Sequence, residues 1–474
     1  MHSSSHHCPL CAAPDTEYEF QIRNRRLRRC FSCELLFTVP FPDSSDASPD
    51  VANTAESPND APLIKNVPAE QLFECIQKYS TGKLQRMAVT GVGAAGLSGL
   101  ARAQGIEILE GVADDSSQMG VDAWVLLEAL GAVSHPVSQL AQIHGALQFG
   151  GVFLLTLPML DSMQARRQKG NWSGFDLSRA AYFDTHSLFA LLIRCGFCDI
   201  CSWPGDNGSV VICRKAESDK ENRSPRISVV LPVYNEQATC KELIDTVLSK
   251  KIEGVEREVV IVESNSTDGS REIVKRYEAH PDVRIVLEEQ PRGKGHAVRN
   301  GISYASGEIL LIQDADLEYD IGDYDALLEP LLAQRRLFVL GSRHKGNWKM
   351  RQFDDRRWLG TVFNLGQIFF TWLINVTCRT QLKDPFTMYK VFHRECLYGL
   401  RLEADRFDLD WEIVIKFVRK GLVPREIPVN YVSRSFAEGK KVRPLLDPLL
   451  WVRALIRFRY GPLFGQDHPD RRAL

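Results

Sequence analysis

Residues 227–236 read ISVVLPVYNE and residues 309–318 read ILLIQDADLE. Each is a β-branched apolar run that breaks abruptly into polar residues, as a buried strand does where it leaves its sheet. Between them come EVVIVESNSTDG at 258–269, a third run of this kind, and PRGKG at 291–295. Val283–Leu287 and Phe338–Gly341 continue the series, with helical patterns between the runs. Alternating strands and helices predict a mostly parallel α/β sheet whose polar turns gather at its carboxyl edge, where such sheets bind ligands. The chemistry is densest at Asp314-Ala-Asp316. Two carboxylates one residue apart can hold a divalent cation as it bridges the oxygens of a diphosphate. A lone Asp-x-Asp is common on surfaces, and the order of all four motifs is what gives this one weight.

That order resembles the family 2 glycosyltransferases of the GT-A fold, and within them the dolichyl-phosphate mannose synthases and related polyprenyl-phosphate enzymes, over about Ile227–Arg443. The resemblance implies an inverting transfer from a GDP- or UDP-linked sugar. Pro232, Tyr234, Glu236 and Glu263 would surround the nucleoside, with Asp268 supporting their turn. Gly293, Lys294 and Gly295 would lie near the donor diphosphate, and Asp314, Asp316 and Glu318 would hold Mg²⁺ or Mn²⁺. The family usually carries Asp where Glu263 stands, which leaves the choice of nucleotide open.

Downstream, Arg343 and the group Arg351, Arg356 and Arg357 can clamp phosphate, since the guanidinium fork matches phosphate oxygens; the alternative is a solvated surface. Asp384–Lys390 takes the place of the family's acceptor-facing segment. A hydroxyl acceptor needs a carboxylate base, for which Asp408 and Asp410 are the candidates, whereas a phosphate acceptor is already anionic and needs none. A helix cap is the competing role for Asp408. The stretch from Tyr431 to Lys441 resembles the basic loop that closes over the donor diphosphate, with Arg434, Lys440 and Lys441 as its cations. Pro448–Gly461 sets Leu, Trp and Ile among arginines, which reads either as an interfacial helix delivering the site to a lipid phosphate at a membrane surface or as packing within the domain.

Upstream, two polar stretches read as linkers, residues 43–62 and 215–226. They divide the 474 residues into a head (1–42), a middle domain (63–214) and the C-terminal domain (227–474). In the head, Cys8-Pro-Leu-Cys11 and Cys30-Phe-Ser-Cys33 form two knuckles able to close a tetrahedral site around structural Zn²⁺. The group Cys195, Cys198 and Cys201 reads as small buried hydrophobes.

The middle domain carries GGVFLLTLP at 150–158 and YFDTHSLFALLIRCGF at 182–197. With the zinc head, it resembles class I S-adenosylmethionine methyltransferases, a Rossmann-like fold. Gly91-Val-Gly93-Ala-Ala-Gly96 looks like their cofactor turn, but a lone GxGxxG is a weak signal. The segment from Ala88 to Gly111 aligns better with the family's second strand. There the ribose-binding acid would fall on Gly93, and Ala69–Arg86 offers no strand for a true glycine loop. A cofactor-free domain, without S-adenosylmethionine, is therefore expected, and an active methyltransferase is the alternative.

The fold expected overall is α/β: a GT-A nucleotide-sugar domain C-terminal to a Rossmann-like methyltransferase-type domain with a small zinc ribbon. A formal net charge of −2 gives no general attraction to nucleic acid. No apolar run reaches the ~20 residues that span a bilayer, and the N-terminus lacks the pattern of a signal peptide. Twelve cysteines without export signals suit a reducing compartment. The expected location is cytoplasmic, at the inner face of the membrane if Pro448–Gly461 is interfacial.

Overall fold

The computed structural model describes residues 7–22, 25–39, 67–109, 120–133, 135–176, 178–216, 224–344, 357–433 and 447–464. It divides into two compact units, one up to Asn222 and one spanning Arg223–Gly465.

The first unit opens with β1 (Thr16–Ile22), β2 (Arg25–Cys30) and β3 (Leu36–Val39), an antiparallel meander. A knuckle precedes it and another joins β2 to β3. The two are built alike. Ala12 and Glu34 both adopt left-handed backbone (φ 56° and 61°), and each donates its N–H to the carbonyl of its first cysteine, Cys8 or Cys30, at 2.9 Å. These tight turns bring the four Sγ atoms within 4.8 Å of one another, with Cys8–Cys33 at 3.5 Å and Cys11–Cys30 at 3.4 Å. A tetrahedron of Zn–S bonds near 2.3 Å has edges of about 3.8 Å, so the donor set fits zinc with little adjustment.

The same unit contains β4 (Arg86–Gly91), β5 (Glu107–Leu109), β6 (Val121–Leu127), β7 (Leu147–Pro158), β8 (Ala181–Tyr182), β9 (Phe197–Pro204) and β10 (Gly208–Lys215). β8 joins the meander beside β3, and the rest form one sheet in the order β5-β4-β6-β7-β10-β9. β4, β5, β6 and β7 run parallel, while β10 is antiparallel to both neighbours. Ala69–Tyr79 is a helix, and among the described residues no strand precedes β4 in this sheet.

The glycine turn therefore leaves the first described strand of the sheet, not a second one as its alignment suggested. β4 has β5 on one side and β6 on the other, so the turn stands where the chain direction reverses. Its mouth is narrow. Gly91 has φ +100°, a Cβ there would overlap the Leu127 carbonyl oxygen, and Val92 donates to that same oxygen at 3.1 Å. Buried Arg179 donates to the carbonyl of Glu128 at the end of β6.

The second unit contains β11 (Arg226–Val233), β12 (Glu256–Glu263), β13 (Val283–Leu287), β14 (Ile309–Ile312), β15 (Phe338–Ser342), β16 (Lys390–His393) and β17 (Arg425–Pro428). They form a single sheet in the order β13-β12-β11-β14-β16-β15-β17. β13, β12, β11 and β14 are parallel, and β16 is inserted antiparallel between β14 and β15. Val229–Leu231, Val259–Val262 and Leu310–Ile312 are fully buried. That burial explains their unbroken apolar runs, each side chain contributing roughly 1.5–3 kcal/mol. The helix Lys294–Tyr304 lies so close to β11 and β12 that a Cβ on Gly301 would stand 2.6 Å from Val230 Cγ1. This close approach fixes where Lys294 emerges at the helix N-terminus.

The purified protein is expected to hold about one zinc per chain, measured by elemental analysis. Cys8→Ser/Cys33→Ser should hold none and melt at a lower temperature. Stoichiometric zinc in that variant would contradict the knuckle assignment.

Candidate functional site

The carboxyl edge of β11, β12 and β14 brings four polar segments together. At the end of β11, Asn235 has left-handed backbone (φ 50°), as Asn tolerates. The turns after β11 and β12 are laced to each other. The Asn235, Glu236 and Gln237 amides donate to Ser266 Oγ, Ser270 Oγ and Asp268 Oδ2 at 2.9, 2.9 and 3.0 Å, and Thr267 N–H donates to Asn235 Oδ1 at 2.9 Å. Asp268 also accepts from the Ser270 amide and hydroxyl. Slight burial works against its charge, but these donors outweigh it and hold the carboxyl below its usual range. Asp268 thus stands where the expected turn support places it. Pro232 lies within β11, Tyr234 is exposed at 38%, and Glu236 faces Thr239.

Glu263 departs from expectation. It is fully buried, and its carboxylate accepts from the Asn265 and Ser266 amides and pairs with Arg271. A carboxylate enclosed by its own turn and an arginine is committed to holding that turn, so it does not face a nucleobase here. The longer Glu side chain reaches back to Arg271, whose role the sequence did not suggest. Beside it Ser264, His296 and Asn300 all bond to Glu288, a second buried network.

At the end of β14, Asp314 pairs with Lys294. Burial disfavours the Lys294 charge, yet Asp314, Asp410 and Asp316 outweigh it and hold the ammonium above the ordinary lysine range. Close packing sets this position. Gly293 (φ +111°) and Gly295 press on the carbonyls of Asp405 and Ala404, where any Cβ would overlap, and His296 N–H donates to Asp405 O at 3.0 Å. That opposing segment is held in turn by buried Glu412, which accepts from the Glu403 and Ala404 amides at 2.8 Å and pairs with Lys416 at 2.7 Å.

A second pair lies beside the first. Asp410, in the first turn of the helix Leu409–Arg419, accepts from Lys390 Nζ at 3.0 Å. Lys390 is fully buried at the start of β16, and its ammonium also donates to Thr387 O. Burial pushes Asp410 up, with Lys390 and Lys294 restraining it, and pushes Lys390 down, with Asp410 restraining it. Lys390 had no role assigned from sequence. Its only signal there was a charge opening an apolar run. Asp408 accepts from the Arg406 amide at 3.1 Å and makes no capping bond to its helix.

Asp316 is buried and accepts from the Glu318 amide at 3.2 Å. Glu318 turns elsewhere: its Oε2 accepts from Tyr431 Oη at 2.9 Å. Among the described residues only the four cysteines bring three or more ligand atoms within 4.8 Å, so Glu318 does not complete a carboxylate triad with Asp314 and Asp316. Two carboxylates suffice for Mg²⁺ or Mn²⁺ when phosphate oxygens and water fill the other positions. Asp314 and Asp316, one residue apart just beyond β14, are the residues that would supply such a pair.

Arg343 is likewise committed inward. Its Nε and Nη2 donate to both oxygens of fully buried Asp384 at 2.8 and 2.7 Å, and its amide donates to Oδ2 at 2.9 Å. Burial disfavours both charges, yet each holds the other ionised, Asp384 below and Arg343 well above their usual ranges. The fork expected to clamp a phosphate is here the clasp that joins β15 to the Asp384 segment. Arg434, Lys440, Lys441, Arg351 and Arg356 lie outside the described residues, as does the Arg357 side chain.

Residues 228–398 match the family model for glycosyl transferase family 2. Similar curated proteins include dolichyl-phosphate beta-glucosyltransferase of Dictyostelium discoideum, 26% identical over 264 residues, covering 52% of this chain and 78% of that protein. Dolichol-phosphate mannosyltransferase of Pyrococcus furiosus is 26% identical over 234 residues, covering 49% of this chain and 64% of that protein. A solved structure, glucosyl-3-phosphoglycerate synthase from Mycobacterium tuberculosis, aligns at 22% identity and TM-score 0.38 over 50% of this chain and 81% of its own. The second unit thus carries a glycosyltransferase domain over residues 228–398.

Removing one partner from a buried ion pair leaves an uncompensated charge, so Asp384→Asn should lower unfolding free energy by about 3–5 kcal/mol in urea titrations. Because the Asp384 carboxyl is held down in the folded state, this stabilisation is present above its unfolded value, about pH 4, and is lost as pH falls through the folded value. Wild type and variant should therefore converge on acidification. Equal stability at neutral pH would contradict the clasp.

Proposed function

We propose that this domain moves a sugar, with inversion, from a GDP- or UDP-linked donor to a polyprenyl-phosphate acceptor, assisted by Mg²⁺ or Mn²⁺ at Asp314 and Asp316. The observation that carries the reading is the pair of lysine–aspartate contacts, Lys294–Asp314 and Lys390–Asp410, at the carboxyl edge of the sheet. Alternating charges there can accept a diphosphate and a cation together. The laced turns after β11 and β12 offer Tyr234 and the backbone around Asn265 to the nucleoside. The cation would supply charge neutralisation to the departing diphosphate.

The state of the two base candidates favours a phosphate acceptor. Asp410 is engaged by Lys390 and Asp408 by the Arg406 amide. An acceptor that is already anionic needs neither. Its phosphate oxygen attacks the anomeric carbon, the bond to the donor diphosphate breaks, and the electron pair leaves on the nucleoside diphosphate. Lys294 stabilises that developing charge from a fixed position. The polyprenyl-phosphate class is also that named in the dolichyl-phosphate relatives. A hydroxyl acceptor is the second reading, with Asp410 as base.

For the first unit we propose a zinc-braced α/β domain that works without S-adenosylmethionine. The glycine turn pressed on Leu127 supports this over an active methyltransferase. Tight, saturable S-adenosylmethionine binding in calorimetry would overturn it.

Nucleotide release from UDP-, GDP- and dTDP-sugars is the direct assay, with Mg²⁺ or Mn²⁺ and undecaprenyl or dolichyl phosphate. One donor should be turned over. Asp314→Asn/Asp316→Asn should reduce the rate about 10²-fold or more, and the melting temperature should change little. Metal-independent release, or a variant as fast as wild type, would reject the site.

A further inference from the structure

The first unit encloses a cavity of about 580 Å³ between its antiparallel meander and the segment that follows the helix Met163–Gln168. That size suits a small organic ligand. One wall comes from the meander. Arg29 pairs across β2 and β3 with Leu36, and strand alternation puts it on the same face as buried Leu27, which pairs with Phe20. Arg29 adjoins Cys30, so the knuckle that gathers the cysteines also fixes this wall. The other wall is the stretch Lys169–Phe175, and its packing is tight. Trp172 is buried, donates through Nε1 to Asn207 Oδ1 at 2.5 Å, and lies so close to Gly174 that a Cβ there would overlap its ring. Phe175 meets Trp172, Tyr182 and Phe20 edge-on, with centroids 5.2, 5.2 and 5.3 Å away.

Lys169 is the anomaly in this wall. Its backbone (φ 48°, ψ −124°) is a combination ordinarily left to glycine, yet the chain sets lysine here and glycine one residue later. Such backbone persists only where its surroundings hold it, and it gathers at ligand clamps. Among the described residues the Lys169 ammonium has no hydrogen-bond or ion-pair partner, and neither has the side-chain amide of Asn171 beside it. The Arg29 guanidinium is loosely engaged, by Glu19 at 3.2 Å in a partly exposed pair and by Glu34 O at 3.2 Å. None of the described residues lining the cavity carries a carboxylate.

We propose that the cavity between the meander and Lys169–Phe175 binds an anionic sugar, whose phosphate or carboxylate is held by Arg29 and Lys169. Two cations on facing walls, with no carboxylate between them, suit one anionic group. Sugar hydroxyls suit the Gln21 and Asn171 amides, which offer both donors and acceptors, and the C–H face of a pyranose suits the negative face of an aromatic ring. A nucleobase fits less well. Phe20 and Phe175 touch edge to face at 73°, which leaves no parallel slot between them. The proposal stands apart from the sugar-transfer reading of the second unit, and it gives the first unit a ligand other than S-adenosylmethionine.

The test is saturation-transfer NMR on the full chain carrying Asp314→Asn/Asp316→Asn, without added divalent metal, so that the candidate site of the second unit contributes little. The probes are gluco-, galacto- and manno-configured sugar 1-phosphates and uronates, compared with the neutral hexoses, inorganic phosphate and UMP. At least one sugar phosphate or uronate should bind saturably, about tenfold or more tighter than its neutral hexose. The phosphate and uronate arms tell which anion the cavity takes. Adding Lys169→Gly should lower that affinity about tenfold. This variant should melt as high as its parent or higher, because glycine relieves the backbone. Binding by none of the anionic sugars, equal binding of the neutral hexoses, or affinity unchanged in both Lys169→Gly and Arg29→Gln would overturn the proposal. So would inorganic phosphate or UMP that binds as tightly as the best sugar and is lost with Lys169→Gly.

Discussion

Two lysines and two aspartates share one poorly hydrated corner, and the rest of the second unit is arranged so that neither lysine is left alone there. A charge removed from water without a partner costs several kcal/mol, so Lys294 with Asp314, and Lys390 with Asp410, must arrive together. Each comes from a different element: a helix N-terminus, the end of β14, the start of antiparallel β16 and the first turn of Leu409–Arg419. Gly301 brings the first helix onto the sheet, Gly293 and Gly295 admit the Ala404–Asp405 backbone, and Glu412 anchors that backbone. Sheet order, helix packing and loop course thus converge on one electrostatic requirement.

A resting ion pair is also a useful preparation for catalysis. Lys294 is fixed before the donor arrives, so its charge needs little reorganisation when a diphosphate develops negative charge beside it. Around this centre the structure uses charge for scaffolding. Glu263 with Arg271 holds the turn after β12, and Arg343 with Asp384 joins β15 to the acceptor-facing segment, which Gln367 ties to the helix Arg357–Cys378.

Much of this was legible in the sequence where the signal is local. Apolar runs ending in polar turns gave β11, β12, β13, β14 and β15 close to their bounds, the turn support by Asp268 followed from its motif, and the cysteine spacing marked the cluster. What escaped depends on partners far away in the chain. β16 is four residues long and is a strand because β14 and β15 flank it, so its periodicity carries little information. Nothing near Arg343 announces Asp384, and nothing near Glu318 announces Tyr431. The sign and motif of Glu263 suggested a ligand contact, while its reach to Arg271 made it structural. In the first unit, the glycine turn was placed on a second strand by its resemblance to a family segment, although no strand-like run stands ahead of it in Ala69–Arg86. The sheet instead begins, among the described residues, at β4.

The central claim is that Asp314 and Asp316 hold a divalent cation jointly with a nucleoside diphosphate. Electron paramagnetic resonance of free Mn²⁺ tests it without an acceptor. Titrating the full chain with Mn²⁺ in the presence of GDP or UDP should remove about one equivalent of the free signal per chain. It should remove much less without nucleotide, and much less in Asp316→Asn. Equal Mn²⁺ binding by wild type and Asp316→Asn, or no nucleotide-dependent binding at all, would contradict the account.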